Sequence, residues 1–177
     1  MLDGSRSRLE TARLLLRPMR TADTEAFFAF GGNPDAMRYT HCHTSLRECR
    51  RRLAAFEWQR RKRGYAPWAV IAKVDGRLVG WGGVYVDPFD PRWGPELGYS
   101  FHPAAWGQGL AAELAHACLE WADQVLGLPE VLAFAHPDNA ASRRVLDKVG
   151  FVPVRAVPEM DRILYKRLGG PNLIAVG

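Results

Sequence analysis

Glu96-Leu97-Gly98-Tyr99-Ser100-Phe101-His102-Pro103-Ala104-Ala105-Trp106-Gly107-Gln108-Gly109-Leu110-Ala111-Ala112 is the stretch on which the fold turns. Residues 96–101 read as a strand. From Gly109 onward Leu110, Leu114, Ala117, Trp121 and Val125 recur at helical spacing, with Glu113, His116, Glu120 and Asp123 on the other face. A long helix with one packed side is therefore expected over 109–126. Two glycines thus stand between a strand and a helix N-terminus, where backbone can approach a ligand closely. The unpaired N–H groups and positive dipole end of such a terminus favour an anion, a phosphate above all. A P-loop is excluded, because no Lys-Ser/Thr follows the second glycine. A Rossmann turn fits formally through Gly107, Gly109 and Ala112, but His102 to Trp106 intervene after the strand. No acid ends the next strand either, where Ala135-His136 stands. A glycine turn without any ligand is the remaining alternative for the segment taken alone.

Working outward, 68–74 and 78–86 are strands around Asp75-Gly76, a hairpin signal, and a Pro/Asp loop at 87–91 leads into the strand at 96–101. Further upstream, 13–17 reads as a strand stopped by Pro18. A short helix over about 23–30 turns Phe27 and Phe30 inward and ends at Gly31-Gly32-Asn33-Pro34. An arginine-rich helix then runs to about 63, opened by a Ser45/Glu48 capping box and carrying Leu46, Cys49, Leu53 and Phe56 on its apolar face. Downstream come a strand at 131–135, a helix at about 140–149, and strands near 151–154 and 163–167, with 168–177 as a loose tail. An antiparallel hairpin followed by strand–helix–strand–helix makes an α/β domain with a mixed sheet.

With 177 residues, 47% of them hydrophobic and 24% charged, the chain has the balance of one globular domain and not of a disordered or fibrous one. No apolar run approaches the roughly 20 residues of a membrane helix, and the polar start offers no signal peptide. Cys42, Cys49 and Cys118 form no C-x-x-C pair, so a reducing cytosol is expected and no disulfide framework. His41-Cys42-His43 lacks a convincing fourth ligand, and no metal is expected. The net charge of +5 is almost wholly arginine and suits an anionic ligand. Arg47, Arg50, Arg51, Arg52 and the run from Arg60 to Arg63 read as a solvated helix face. A nucleic-acid surface is not expected, since no binding motif accompanies them. Trp58, Trp68, Trp81 and Trp93 read as core or cleft wall.

Glu96-Leu97-Gly98-Tyr99, His102-Pro103 and Trp106-Gly107-Gln108-Gly109-Leu110-Ala111 with Glu113 together resemble the acetyl-CoA motif of GNAT N-acetyltransferases. Asn139-Ala140-Ala141-Ser142 followed by Lys148-Val149-Gly150-Phe151 resembles their second motif. Leu9-Glu10-Thr11-Ala12-Arg13-Leu14-Leu15-Leu16-Arg17-Pro18 is similar to the first strand of the ribosomal-protein N-terminal acetyltransferase (Rim) branch. The resemblance implies a single GNAT-type domain over 9–168, with tails at 1–8 and 169–177. It implies a central mixed, mostly antiparallel sheet flanked by helices, with a splayed parallel strand pair at the cofactor site. Acetyl-CoA would be the co-substrate. Its pantetheine would pair with the freed edge of the 96–101 strand, near the backbone of Phe101 and His102. Gly107, Gln108, Gly109, Leu110, Ala111 and Ala112 would wrap the diphosphate, and Asn139 would orient cofactor or water unless it is only a helix cap. Trp106 departs from the Arg or Gln of the wider superfamily but is usual in the Rim branch.

Acetyl transfer to an amine needs a base for the ammonium proton, donors for the developing oxyanion and an acid for the leaving thiolate. Glu96 shares a strand face with Gly98, Ser100 and His102 and is the favoured base, with His102 or solvent as alternatives. The tyrosine that serves many GNAT enzymes as acid would fall at Leu146, so Ser142 takes that place; a helix-start serine bonding backbone is the alternative. Asp87 and Asp90, with Glu96, offer negative potential to a cationic acceptor, and Trp93 with Phe89 a wall for its apolar part; a rigid surface turn is the competing explanation. The expected activity is transfer from acetyl-CoA to a primary amine, on a protein N-terminus or a small molecule, by direct attack in a ternary complex. The alternative is a non-catalytic acyl-CoA-binding regulatory module. Neither the acceptor nor the choice between monomer and homodimer follows from the sequence.

Overall fold

The Asp75-Gly76 turn joins β3 (Trp68–Ala72) to β4 (Leu78–Val86), and the antiparallel ladder continues from β4 to β5 (Pro95–Phe101) without a register break, from Val86 opposite Pro95 to Gly80 opposite Phe101. This computed structural model describes residues 8–170. Before the hairpin come β1 (Leu9–Glu10), β2 (Leu14–Arg17), α1 (Thr24–Gly31) and α2 (Leu46–Arg63); after it come α3 (Leu110–Trp121), β6 (Glu130–Ala135), α4 (Ala140–Lys148), β7 (Val152–Val157) and β8 (Arg162–Leu168). One eight-stranded sheet has the order β1-β2-β3-β4-β5-β6-β8-β7. Every neighbouring pair is antiparallel except β5 and β6, which run parallel and pair at one position, Glu96 opposite Leu132. The expected α/β domain, a mixed sheet flanked by helices around one splayed parallel pair, is the fold observed.

Strand alternation divides β5 between two cores. Leu97 and Phe101 pack with Leu114, Cys118 and Leu146 of α3 and α4, in the cluster that also holds Trp68 and Trp121. On the other face, Tyr85 of β4 packs with Phe27 and Phe30 of α1 and with Cys49, Leu53 and Phe56 of α2. α2 begins as the sequence indicates: Ser45 Oγ accepts from Glu48 N at 3.2 Å, and Gly64 ends the helix at φ +83°. Its arginines sort by face. Arg47, Arg50 and Arg51 are exposed, whereas Arg52 and Arg60 turn inward.

Two expectations need correction, and one element goes beyond them. The helix begun at Leu110 widens after Trp121 into a π-helical turn, Ala122–Leu126. The wider turn rotates later residues off the packed face, so Val125 is 43% exposed while Cys118, Leu119 and Ala122 are buried. Chain end 168–177 is not loose where it is described. Leu168 closes β8, Gly169 N–H donates to Pro129 O at 3.0 Å and Gly170 N–H to Asp123 Oδ1 at 3.1 Å. The other expected tail positions, 1–7 and 171–177, lie outside the described residues. Finally, the two-residue β1 carries too short a pattern to have been read from sequence.

Candidate active site

The loop after β5 is built to leave backbone donors free. Gly107 and Gly109 sit at φ +73° and +75°, where a side chain is strained and glycine is not. Among the described residues, no protein acceptor meets the N–H groups of 107–112; the first amide engaged is Glu113, which donates to Gly109 O at 3.2 Å. Successive free amides at a helix N-terminus form an anion-binding concavity. Arg13, the residue before β2, fixes the loop: Nη1 donates to Gln108 O at 2.8 Å and Nε to Glu113 Oε2 at 2.7 Å. Gln108 Nε2 in turn donates to Ala104 O at 3.0 Å.

The freed edge of β5 follows from one hydrogen bond. His102 N–H donates to Val79 O on β4 at 2.8 Å, so by alternation Ser100 and Gly98 also face β4, and Tyr99 and Phe101 face the gap toward β6. His102 C=O accepts from Ala105 N at 2.8 Å, and its Nδ1 accepts from Ala104 N at 3.1 Å. Expected beside Phe101 as a backbone contact, His102 has both backbone groups engaged within the protein; Tyr99, to which no role was given, stands on the open edge instead. Trp106 explains its own presence: indole Nε1–H donates to Phe101 O at 2.9 Å, leaving the Phe101 N–H toward the gap.

Glu96 lies on the opposite face, 9% exposed, with the Tyr85 side chain as a neighbour. Burial raises its pKa to about 7, the nearby Tyr85 hydroxyl opposes that rise, and the Asp87 and Asp90 carboxylates add to it. Gly98 makes the arrangement possible, since a Cβ there would stand 2.8 Å from Tyr85 Cε1. One cavity of about 840 Å³ runs through the splay and is lined from both faces, by Glu96, Asp87, Asp90 and Trp93 as well as by Gly107, Gly109, Asn139 and Ser142. A family comparison says what chemistry such a cavity serves: the acetyltransferase (GNAT) domain matches residues 13–152. The chain belongs to the GNAT acetyltransferase family.

Two relatives from Bacillus subtilis (strain 168) extend along most of this GNAT chain. The uncharacterized protein YkkB is 31% identical over 151 residues, 83% of this chain and 86% of that one. The uncharacterized N-acetyltransferase YoaA is 30% identical over 145 residues, 81% of each. Among solved structures, the ribosomal L7/L12 alpha-N-protein acetyltransferase RimL in complex with coenzyme A shares the fold, with TM-score 0.76 at 16% identity, over 92% of this chain and 98% of that one. No helix among the described residues is long and apolar enough to cross a membrane.

On the α4 side of the GNAT cavity, Asn139 caps the helix, its Oδ1 accepting from Ser142 N at 3.1 Å. That leaves the Ser142 hydroxyl for another partner, and it lies 3.1 Å from the Tyr99 hydroxyl. Burial pushes the Tyr99 phenol up to about 12, with the Ser142 bond acting the other way. Leu146, at the family's tyrosine position, is buried in the core. The alternation that put Glu96 on one face put Tyr99 on the other, and that signal was present in the sequence. Of the residues expected to meet the acceptor, Asp90 is paired with Arg92 at 3.0 Å, Asp87 Oδ1 accepts from Phe89 N at 2.8 Å, and Trp93 packs edge-on against Phe134 at 5.1 Å. The structure also brings Glu48 to His41 and His43, all three ligand atoms within 4.8 Å. Glu48 spends one oxygen on the Thr44 N–H and hydroxyl and the other on His41, and the nearby Arg52 charge at His43 opposes a dication there.

Proposed function

We propose that this GNAT protein is an acetyl-CoA-dependent N-acetyltransferase of the Rim-like branch, its catalytic unit spanning 9–168. It would move an acetyl group to a primary amine, on a protein N-terminus or a small molecule, by direct attack with both substrates bound. The carrying observation is Glu96: a buried carboxyl with a pKa of about 7, opening on the same cavity as a row of free backbone amides. A base titrating near working pH is where proton abstraction is most efficient. The Trp106-Gly107-Gln108-Gly109 pattern, its indole held on Phe101 O, supports the Rim-like branch. The three cysteines are unpaired, which suits a reducing cytosol.

The chain's groups fit acetyl-CoA. The 107–112 amides offer donors to a diphosphate, and the Tyr99–Phe101 edge offers strand-like pairing to an extended amide chain. Acetyl-CoA supplies the acetyl group and a thiolate leaving group. Glu96 removes the ammonium proton so that the nitrogen lone pair can attack the thioester carbon. The Phe101 N–H, facing the splay, stabilises the carbonyl oxygen as it gains charge. As the C–S bond breaks, Ser142 Oγ, held by Tyr99, donates a proton to the departing sulfur, and the second proton of the attacking nitrogen passes to solvent, from which the Ser142–Tyr99 pair is reprotonated. Asp87 and Asp90 draw the cationic amine in, and Trp93 lines its path. Thiol release from acetyl-CoA across a panel of amines tests this reading. Activity with at least one amine, rising through about pH 7, is expected; bound acetyl-CoA with no thiol released by any amine overturns it in favour of a binding module.

A further inference from the structure

Arg52 and Arg60 both turn inward from α2 and meet opposite surroundings. Arg60 is consumed by the fold. Its Nη2 donates to the carbonyls of Ala66 at 3.1 Å and Pro67 at 2.5 Å, its Nε to Glu57 at 3.2 Å, and its guanidinium lies 4.3 Å over the Trp68 ring. Arg52, with only 21% of its side chain exposed, makes no hydrogen bond among the described residues. Its one ionic neighbour, Asp87 Oδ2, stands 3.9 Å from Nη2, too far for a hydrogen bond. It lies over the rings of Phe56 at 5.5 Å and Phe89 at 5.0 Å. Ring contacts engage the flat face of a guanidinium and leave its in-plane N–H donors open. Those donors belong to a side chain lining the same cavity as Glu96.

A half-buried arginine whose donors meet no protein acceptor among the described residues keeps its guanidinium edge for whatever enters the cavity. It is at odds with a simple amine acceptor, because an ammonium approaching Glu96 meets a like charge. The conflict disappears when the acceptor carries its own anion. We propose that Arg52 is an anion subsite within the acceptor site and that the acceptor is an amino-acid-like zwitterion, its carboxylate on the Arg52 fork and its amine toward Glu96. The planar fork matches a carboxylate in two parallel bonds. Asp87 and Glu96 nearby disfavour a more highly charged group such as a phosphate monoester. The inference rests on the acetyl-transfer reading given above.

The test is thiol release at fixed pH and saturating acetyl-CoA, with the proteinogenic amino acids, their carboxamides, spermidine and a short peptide as acceptors. A carboxylate on an open arginine is worth about ten- to a hundredfold. The free acid should therefore exceed its carboxamide by that factor in kcat/KM for the accepted side chain. Arg52→Gln should bring the ratio close to one, and Arg52→Lys should keep part of it. Both substrates are read on the same variant, so any change in Glu96 cancels. Should Arg52→Gln fail to fold by circular dichroism, the wild-type ratio and Arg52→Lys decide. A carboxamide as good as its acid, or a ratio untouched by Arg52→Gln, overturns the subsite. Acetylation of spermidine or peptide alone also overturns it and leaves acetyl transfer standing; the absence of thiol release with every amine removes both.

Discussion

The two faces of β5 carry two kinds of site. Toward α3 and α4 the proposed binding surface is backbone: amides of 107–112 and the strand edge at Tyr99 and Phe101, with side chains serving mainly to hold the main chain in place, as Arg13 and Trp106 do. Toward α1 and α2 it is side chain: Glu96 from β5, Tyr85 from β4, Arg52 from α2 and Asp87 from the loop between β4 and β5. A backbone site is indifferent to most substitutions except at its glycines. A side-chain site can be retuned one residue at a time without disturbing the first. One fold can thus keep a single acyl donor while its acceptor changes.

The sharpest way to break that contrast is at Gly109. A Cβ there has room, with only Arg13 Nη2 at 3.7 Å, but φ +75° is a conformation that a β-branched residue avoids. Gly109→Val should therefore leave the fold and displace the loop amides. Acetyl-CoA affinity should fall by about a hundredfold or more, since several bonds to an anion are lost together. Isothermal titration reads it, with circular dichroism as control. Unchanged affinity would mean that the diphosphate lies elsewhere.

On the other face the expected losses are in turnover. Glu96→Gln should lower kcat by roughly ten- to a thousandfold while acetyl-CoA affinity holds, and should remove the rise in rate through about pH 7. Ser142→Ala and Tyr99→Phe should each cost about tenfold. If the two hydroxyls act as one proton path, the double variant will lose much less than the product of the singles. Fully multiplicative losses would separate them and return Ser142 to a helix-start role.

The same contrast explains what could be read from the sequence. The hairpin, the long helix and the glycine loop are local patterns, and a backbone site announces itself through the local residues it needs: Gly107, Gly109 and the strand before them. Glu96 can be singled out because alternation along one strand is also local. Tyr99 needed only the complementary parity, but its partner Ser142 comes from another motif. Arg52 was hidden by its neighbours. In a helix with Arg47, Arg50 and Arg51, charge reads as solvated surface, and only the packing of α2 on β4 turns that one arginine inward. His102 misled for the opposite reason: it follows the strand directly, yet a 3-10 turn at Pro103–Ala105 consumes its carbonyl.

A smaller effect concerns stability. Glu96 is 9% exposed and its folded pKa lies above the ordinary value of 4.5. The folded state therefore binds the proton more tightly than the unfolded chain does. Its contribution is fully present below about pH 4.5 and is lost as pH rises through about 7. The loss is on the order of 1–3 kcal/mol. Thermal unfolding should show Tm declining across this window in the wild type and a flatter profile in Glu96→Gln. Parallel profiles would mean that Glu96 is well solvated, and the case for a tuned base would weaken.

The smallest effect tests whether the acidic loop acts as a field or as a contact. Asp90 is already neutralised by Arg92, and Asp87 spends an oxygen on Phe89 N–H, so neither carboxylate is free to seize an ammonium outright. What they retain is their influence on Glu96, whose pKa both raise. Replacing Asp87 and Asp90 together by Asn should lower that pKa, and the rising limb of kcat/KM should move to lower pH by less than about one unit, as screened surface charges allow. The acceptor KM should rise several-fold at low ionic strength and converge on the wild type in salt, while the acetyl-CoA KM stays put. A pH limb that does not move, together with a KM change that persists in high salt, would make the aspartates direct ligands of the amine. An unmoved limb with no KM change would take the loop out of the acceptor site and leave that face to Glu96, Tyr85 and Arg52.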